Sequence, residues 1–217
     1  MQTFSEENYL KAIFHLSGTD KKPVSTNALA EKMKTKASSA TDMVKRLSEK
    51  NLVEHTPYQG VTLTESGIRS AVQIIRKHRL WEVFLVDKLE FKWDEVHDLA
   101  EELEHINSPI LAERLDAFLG YPKTDPHGDP IPDKHGNFEE YKMFSLNKLN
   151  KAETGIITGV SEHSTAFLKH LEKLGLTLGK NIEIVDILEF DGSIELKIDG
   201  THQTVSREIS KHILISK

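Results

Sequence analysis

The fold at the start of this chain is decided by residues 25–63, STNALAEKMKTKASSATDMVKRLSEKNLVEHTPYQGVTL. A serine and a threonine open the stretch and can cap a short helix that ends near Met33, and a second helix is expected over residues 37–50. Two short β-like runs follow at residues 52–55 and 61–63, and the proline- and glycine-containing loop between them indicates a hairpin. This order of elements predicts a winged helix-turn-helix domain.

A winged helix places its second helix in the major groove of DNA and its hairpin against the backbone or the minor groove. Small side chains at the start of that helix allow close approach to the bases, and nearby cations contact phosphates. Residues 20–50 carry eight Lys or Arg residues against four acidic residues, which favours a surface that faces phosphate. The alternative is a small helical bundle with a lysine-rich surface. The candidate DNA-contacting residues are Lys36, Ala37, Ser38, Ser39, Asp42, Lys45, Arg46 and Tyr58.

Candidate metal ligands cluster on two neighbouring helices in the middle of the chain. His97, Glu101, Glu104 and His105 share one face of a predicted helix, since each residue turns the helix by roughly 100°. His78 and Glu82 form a second pair at i,i+4 spacing on an apolar helix expected over residues 66–89. Taken alone, the first group could equally be a solvated acidic helix. Six possible ligands on two successive helices indicate a divalent cation site.

Composition restricts the kind of metal site. The chain has 217 residues, no cysteine and a net charge of −6, and residues 90–140 hold fourteen acidic residues against four Lys or Arg. Without cysteine, any metal must be bound by nitrogen and oxygen ligands, and disulfides and thiol nucleophiles are excluded. The chain shows no apolar run of about 18 residues and no signal-peptide pattern at its start, so we expect a soluble cytoplasmic protein.

The remaining elements complete a mainly α fold with a small β domain. A first helix is expected over residues 5–16, with Ser5 as its N-cap, and a helix begins at Pro109. Residues 121–136 hold four of the seven prolines and form the expected linker. The pattern then changes to five short strands and one helix, which favours a small β-barrel. We expect a winged helix-turn-helix domain at 1–72, a helical metal-binding and dimerisation domain at 73–140, and an SH3-like β-barrel at 141–217.

Four features in this order resemble the diphtheria toxin repressor and manganese transport regulator family: the winged helix, RKHRLWE at 76–82, VHDLAEELEH at 96–105 and PHGDPIP at 126–132. The resemblance covers nearly the whole chain, and the terminal β segment resembles the SH3-like (FeoA-like) domain of the longer members. It implies a homodimeric repressor whose bound Mn²⁺ or Fe²⁺ orders the winged helix for operator binding, so that metal-uptake genes are silenced when metal is plentiful.

The resemblance also implies two sets of metal ligands. The primary set is Asn8, Glu101, Glu104 and His105. A second set is His78, Glu82 and His97, completed either by the loop residues Asp125 and His127 or by the barrel residues Glu162 and His163.

Three positions depart from the pattern of some family members. Iron-selective members have a sulfur ligand where this chain has Glu101, and the hard oxygen of Glu101 favours Mn²⁺ over softer or more tightly bound metals, so Mn²⁺ is the first expectation and Fe²⁺ the alternative. Manganese members have an aspartate where this chain has Asn8, which can coordinate through its amide oxygen but brings no charge, or Glu7 could substitute. Lys11 stands where some two-domain manganese members have a glutamate ligand, which argues against a binuclear site of that kind.

Two other functions compete with metal-gated repression. A winged-helix regulator that senses an organic ligand would leave the His and Glu residues structural, and its DNA binding would not respond to a chelator. A metal-dependent hydrolase is disfavoured because the chain has no HExxH, GxSxG or Gly-rich phosphate-binding motif. We therefore expect no enzymatic activity and no small-molecule substrate. Apolar residues of the central helices, among them Trp81, Phe84, Leu111 and Leu115, could form either the dimer interface or the core.

Overall fold

The computed structural model describes residues 2–18, 20–56, 59–139 and 141–217. These residues form eight α-helices, a two-stranded sheet and a six-stranded sheet. The chain divides into two compact units. The first unit comprises Met1–His78, Glu101–Glu113 and Pro132–Asn137, and the second comprises Arg79–Ala100, Arg114–Ile131 and Phe138–Lys217.

The first unit contains a winged helix-turn-helix, as the sequence predicts. Its elements in chain order are α1 (Phe4–Ser17), α2 (Thr26–Lys32), α3 (Ala37–Glu49), β1 (Val53–Thr56), β2 (Gly60–Leu63) and the start of α4 (Glu65–Leu89). Strands β1 and β2 pair antiparallel, with Thr56 opposite Gly60 at the hairpin end. Leu29, Val44 and Leu47 are fully buried in one core with residues of α1, so α1 packs as part of this domain.

Helix α1 begins one residue earlier than expected, and its N-cap is Thr3, two residues before Ser5, so the prediction of Ser5 as the N-cap was wrong. The Glu6 amide donates to Thr3 Oγ1 at 3.3 Å, and the Thr3 amide donates to Glu6 Oε2 at 2.9 Å. This reciprocal pair is a capping box, which satisfies two amides that the helix leaves without partners. Because Thr3 and Glu6 satisfy this pattern together, they fix the start of the helix.

Helix α5 (Val96–Leu103) ends before the last two predicted ligands, so Glu104 and His105 lie in the following turn and not on the helix. The Ile106 amide donates to Leu103 O at 3.2 Å, which closes a tight turn. Pro109 then starts α6 (Pro109–Phe118), and residues just before a proline are biased away from helical backbone. Of the four predicted ligands, His97 and Glu101 therefore lie on α5 itself.

The second unit contains the end of α4, parts of α5 and α6, and the C-terminal β domain. Its further elements are β3 (Phe144–Ser145), a 3₁₀ turn (Leu146–Lys148), β4 (Thr154–Val160), α7 (Thr165–Lys173), β5 (Asn181–Ile187), β6 (Ile194–Ile198), β7 (Thr201–Val205), α8 (Arg207–His212) and β8 (Ile213–Ser216). The strands form an antiparallel sheet in the order β3-β8-β4-β5-β6-β7. The five predicted strands are all present. The pairing leaves β3 and β7 at opposite edges, so the sheet is open and does not close into the expected barrel.

Across the described residues, none of the helices combines the length and apolar character that a membrane span requires.

Candidate metal centre

Glu104 is the centre of a polar cluster in the first unit. Its carboxylate is fully buried, and both of its oxygens are engaged. Lys11 Nζ donates to Oε1 at 2.7 Å and to Oε2 at 2.8 Å, and His78 Nδ1 lies 2.6 Å from Oε2. Lys11 Nζ also lies 2.5 Å from Glu101 Oε1. We call Asn8, Lys11, His78, Glu101, Glu104 and His105 the first cluster.

His105 is held in a fixed orientation by a residue of α1. Its Nδ1 lies 2.6 Å from Glu7 Oε2, its ring stacks on Phe4 with centroids 4.6 Å apart, and both members of the His105–Glu7 pair are largely buried. If Nδ1 carries the proton that Glu7 accepts, Nε2 keeps its lone pair, and Nε2 lies 4.0 Å from Glu104 Oε1. A carboxylate that orients a histidine in this way is a common partner of metal-binding imidazoles.

Asn8 supplies a donor atom that fits a cation. Its Oδ1 is buried and accepts no hydrogen bond from the part of the chain that the structure describes. A buried amide oxygen without a partner is unfavourable, and a bound cation would satisfy it. Together, Asn8, Glu101, Glu104 and His105 offer three oxygen donors and one nitrogen donor, a set that suits Mn²⁺. The four predicted primary ligands thus fit a hard divalent cation.

A second cluster lies in the second unit and consists of Glu82, Asp125 and His127. All three are buried, and their candidate ligand atoms lie within 4.8 Å of one another. His127 Nδ1 lies 3.6 Å from Glu82 Oε2, and His97 Nδ1 lies 3.5 Å from Glu82 Oε1. His78 contacts Glu104 in the first unit, and its membership of the second ligand set stays a prediction.

The loop between α6 and the β domain shapes the second cluster. Asp125 Oδ1 accepts from the amides of His127 at 2.8 Å and Asp129 at 3.0 Å, so the turn holds the carboxylate in place. Gly128 has φ +90°, and a Cβ atom there would lie 2.1 Å from Thr158 O. Only glycine permits this close approach, through which the Val160 amide reaches His127 O at 2.9 Å.

The electrostatics of this cluster favour a cation. Burial, together with the carboxylates of Glu82 and Asp129, raises the pKa of Asp125 to about 7. Burial by itself lowers the pKa of His127, but the Glu82 side chain and Asp125 outweigh it and raise that pKa. His127 Nε2 donates to Trp93 O at 2.8 Å, which directs Nδ1 towards Glu82. A positive charge added between these carboxylates would relieve their repulsion.

The two predicted barrel ligands take different positions. The His163 ring stacks on His127 with centroids 4.8 Å apart, and its Nε2 lies 3.2 Å from Val160 O. Burial lowers the pKa of His163 and so favours a neutral ring. Glu162 instead accepts from the Ser164 amide at 2.9 Å. The three-residue group therefore contains the loop residues Asp125 and His127, while His163 lies beside it and Glu162 has a local backbone partner.

The predicted DNA-contacting residues of α3 form an exposed surface. Those that the structure describes are all solvent-exposed: Lys36, Ala37, Ser38, Ser39, Asp42, Lys45 and Arg46. The side chains of Lys45 and Asp42 form a 3.5 Å ion pair, and Val44 and Leu47 of the same helix are buried. Tyr58 lies outside the described residues.

Three residues with a place at these clusters were missed or misjudged from the sequence. The sequence suggests Glu7 only as a substitute ligand, yet it is the partner of His105. It suggests Lys11 only as a residue in place of a glutamate ligand, yet the ammonium group of Lys11 bridges Glu101 and Glu104. Arg79 donates to Asp129 at 3.0 Å and lies 3.6 Å from Asp125 Oδ2, so it supports the second cluster. The i,i+4 spacing of Glu7 and Lys11 shows that both share a helix face, but not what they contact.

Comparison with known proteins identifies family models along most of the chain. Residues 1–61 match the model described as iron dependent repressor, N-terminal DNA binding domain. Residues 64–133 match iron dependent repressor, metal binding and dimerisation domain, and residues 144–217 match the FeoA domain.

Individual relatives agree with these matches. An uncharacterized HTH-type transcriptional regulator of Methanocaldococcus jannaschii is 36% identical over 115 residues, which cover 53% of this chain and 92% of the relative. The iron-dependent repressor IdeR of Mycobacterium tuberculosis is 34% identical over 126 residues, 58% of this chain and 54% of IdeR. A solved manganese-dependent transcriptional repressor in complex with manganese has a TM-score of 0.87 and 36% identity, and the match covers 98% of this chain and 99% of that one.

Proposed function

Because this chain belongs to the iron-dependent repressor family, we propose that it is a metal-dependent transcriptional repressor that binds operator DNA as a homodimer when loaded with Mn²⁺. The genes it represses would be those for metal uptake. The three matched family models support a DNA-binding domain at 1–72, a metal-binding and dimerisation domain at 73–140 and an SH3-like domain at 141–217.

The observation that carries this proposal is the position of the first cluster. Asn8 and Lys11 are residues of α1, and α1 packs in the same hydrophobic core as the helix-turn-helix. A group that binds Asn8, Glu101 and Glu104 together therefore acts directly on a helix of the DNA-binding domain. These residues would hold Mn²⁺, which would supply two positive charges to balance the carboxylates.

The donor types support Mn²⁺ over Fe²⁺ as the physiological metal. The chain has no cysteine, and Glu101 offers a hard carboxylate oxygen at a position where the resemblance implies sulfur in iron-selective members. Oxygen donors with one or two imidazoles suit Mn²⁺, whereas sulfur ligands suit softer or more tightly bound metals. Fe²⁺ remains the metal against which selectivity has to be measured.

The residues around the metal ligands have separate roles in this proposal. Glu7 orients His105, and Trp93 O orients His127, so each ring presents one nitrogen to its cluster. The metal can favour the DNA-competent arrangement only by binding it more tightly than the alternative. Exposed apolar side chains on α6, Ile110 and Phe118, support a dimer interface on that helix.

Operator binding measured by fluorescence anisotropy tests the proposal. The protein is mixed with a labelled palindromic site from its own promoter region at fixed salt. Anisotropy is recorded in chelator and during titration with Mn²⁺ or anaerobic Fe²⁺. We expect DNA binding only when metal is present, with a lower midpoint metal concentration for Mn²⁺ than for Fe²⁺. We expect Glu101→Ala to lose DNA binding. Glu102→Gln is the matched control, because Glu102 is exposed on the same helix. Equal binding in chelator would refute metal gating and favour a sensor of an organic ligand.

A further inference from the structure

Lys11 provides a cation within the group of carboxylates that fits a metal. Its side chain is 12% exposed, and its Nζ lies within 2.8 Å of both Glu104 oxygens and 2.5 Å from Glu101 Oε1. Glu104 is fully buried, so solvent screens this contact little. The two carboxylates are therefore already bridged by a positive charge from the protein itself.

The ammonium group and a divalent cation require the same acceptor atoms. Lys11 uses both oxygens of Glu104, and His78 lies against one of them. A metal bound by Glu101 and Glu104 with Lys11 still in place would put three positive charges against two carboxylates at separations of a few ångströms. The repulsion between the ammonium and the metal at such distances is large in a buried site. The two cations therefore exclude each other.

We propose that Lys11 is a tethered competitor of the metal: its ammonium bridges Glu101 and Glu104 until Mn²⁺ displaces it. This inference rests on the proposed function and deepens it. Lys11 stabilises the metal-free junction between α1 and residues 101–104, and it raises the metal concentration at which the repressor responds. Asn8 acts in the same direction, because a neutral amide attracts Mn²⁺ less than a carboxylate does.

The first test follows Lys11 in the unaltered protein. The protein is acetylated briefly with an N-hydroxysuccinimide ester in chelator and over a series of free Mn²⁺ concentrations, and Lys11 modification is quantified by peptide mass spectrometry. We expect protection in chelator and several-fold faster modification as Mn²⁺ binds. Lys32, an exposed lysine of α2, serves as the internal control and should react equally throughout. Equal modification of Lys11 with and without Mn²⁺ would overturn the inference.

The second test uses Lys11→Met, with Lys11→Arg as the charge-conserving variant and Lys32→Met as the matched control. Free Mn²⁺ is measured by electron paramagnetic resonance, and melting is measured in chelator. We expect Lys11→Met to bind Mn²⁺ at least about tenfold more tightly in one class of sites and to melt at least about 3 °C lower in chelator. The Mn²⁺ affinity and the melting temperature of Lys11→Arg and of Lys32→Met should stay close to those of the unaltered protein.

The outcomes separate this inference from the proposed function. Unchanged or weaker Mn²⁺ affinity in Lys11→Met, with normal binding by the unaltered protein, would overturn the role of Lys11 and leave metal gating intact. Binding by Lys11→Met alone would support competition but refute Mn²⁺ as the signal for the natural chain. Absence of binding by both would refute the metal site and the competition with it.

Discussion

Removing the charge of Glu7 tests whether this residue controls the metal affinity of His105. Glu7 is not a member of the first cluster, but its Oε2 lies 2.6 Å from His105 Nδ1, and the two side chains are only 13% and 6% exposed. Water therefore cannot easily replace the carboxylate. Outer partners of metal-binding histidines typically contribute 10-fold to 100-fold in metal affinity.

Two substitutions divide this contribution into charge and orientation. Glu7→Gln keeps an acceptor oxygen for Nδ1 but removes the negative charge, so we expect roughly 10-fold weaker Mn²⁺ binding, which is about 1.4 kcal/mol. Glu7→Ala also releases the ring, which the stacked Phe4 holds only through its face, so we expect a loss towards roughly 100-fold.

Isothermal titration calorimetry with Mn²⁺ at fixed pH and salt measures the effect, which should be confined to one of two classes of sites. Glu102→Gln removes an exposed carboxylate from the neighbouring helix and controls for the general loss of negative charge. Normal Mn²⁺ affinity in a folded Glu7→Ala variant would refute the reasoning, because it would mean that the orientation of His105 does not limit binding.

Three further substitutions test other parts of the structure. Lys50→Met leaves the nearly buried Glu6 carboxylate without the ammonium group 2.7 Å away, so we expect about 1–3 kcal/mol lower stability in urea with unchanged Mn²⁺ stoichiometry; unchanged stability would contradict this. Gly128→Ala brings a Cβ atom to 2.1 Å from Thr158 O at φ +90°, so we expect about 3 kcal/mol or more of destabilisation and one fewer Mn²⁺ bound, and a wild-type urea midpoint would contradict it. Phe118→Asp charges a side chain that is 65% exposed, so we expect a folded monomer by sedimentation velocity, and an intact dimer would exclude Phe118 from the interface.

Local sequence patterns predict most of the fold. Capping residues, apolar periodicity and turn residues act over three or four positions, and they locate α2, α3, the hairpin and the five C-terminal strands to within a residue or two. The errors arise where two local signals compete. Thr3 and Ser5 are both good N-caps, and only the reciprocal partner Glu6 selects Thr3.

The candidate ligands are harder to assign to clusters than to find. Helical spacing identifies His78 and Glu82 as a pair on one face of α4, but it does not reveal that His78 lies against Glu104 and Glu82 against His127. The spacing of residues along a helix fixes the side on which they lie and their separation along the axis, but not which residues of other elements they contact. The partners of Lys11 and Glu7 are 90 and 98 residues away in the chain, beyond the reach of any local pattern.

Helix α1 connects the first cluster to α3 through two adjacent faces. One face carries Asn8 and Lys11, and the next carries Glu6, which accepts from Lys50 directly after α3. A metal-free protein without Lys11 would have two repelling carboxylates, Glu101 and Glu104, and no cationic link from them to α1. With Lys11 in place, metal binding exchanges one cationic link for another, so the switch depends on the difference between the two links and not on the metal's total binding energy. A repressor built in this way responds at a higher metal concentration while its DNA-binding domain stays folded at low concentration.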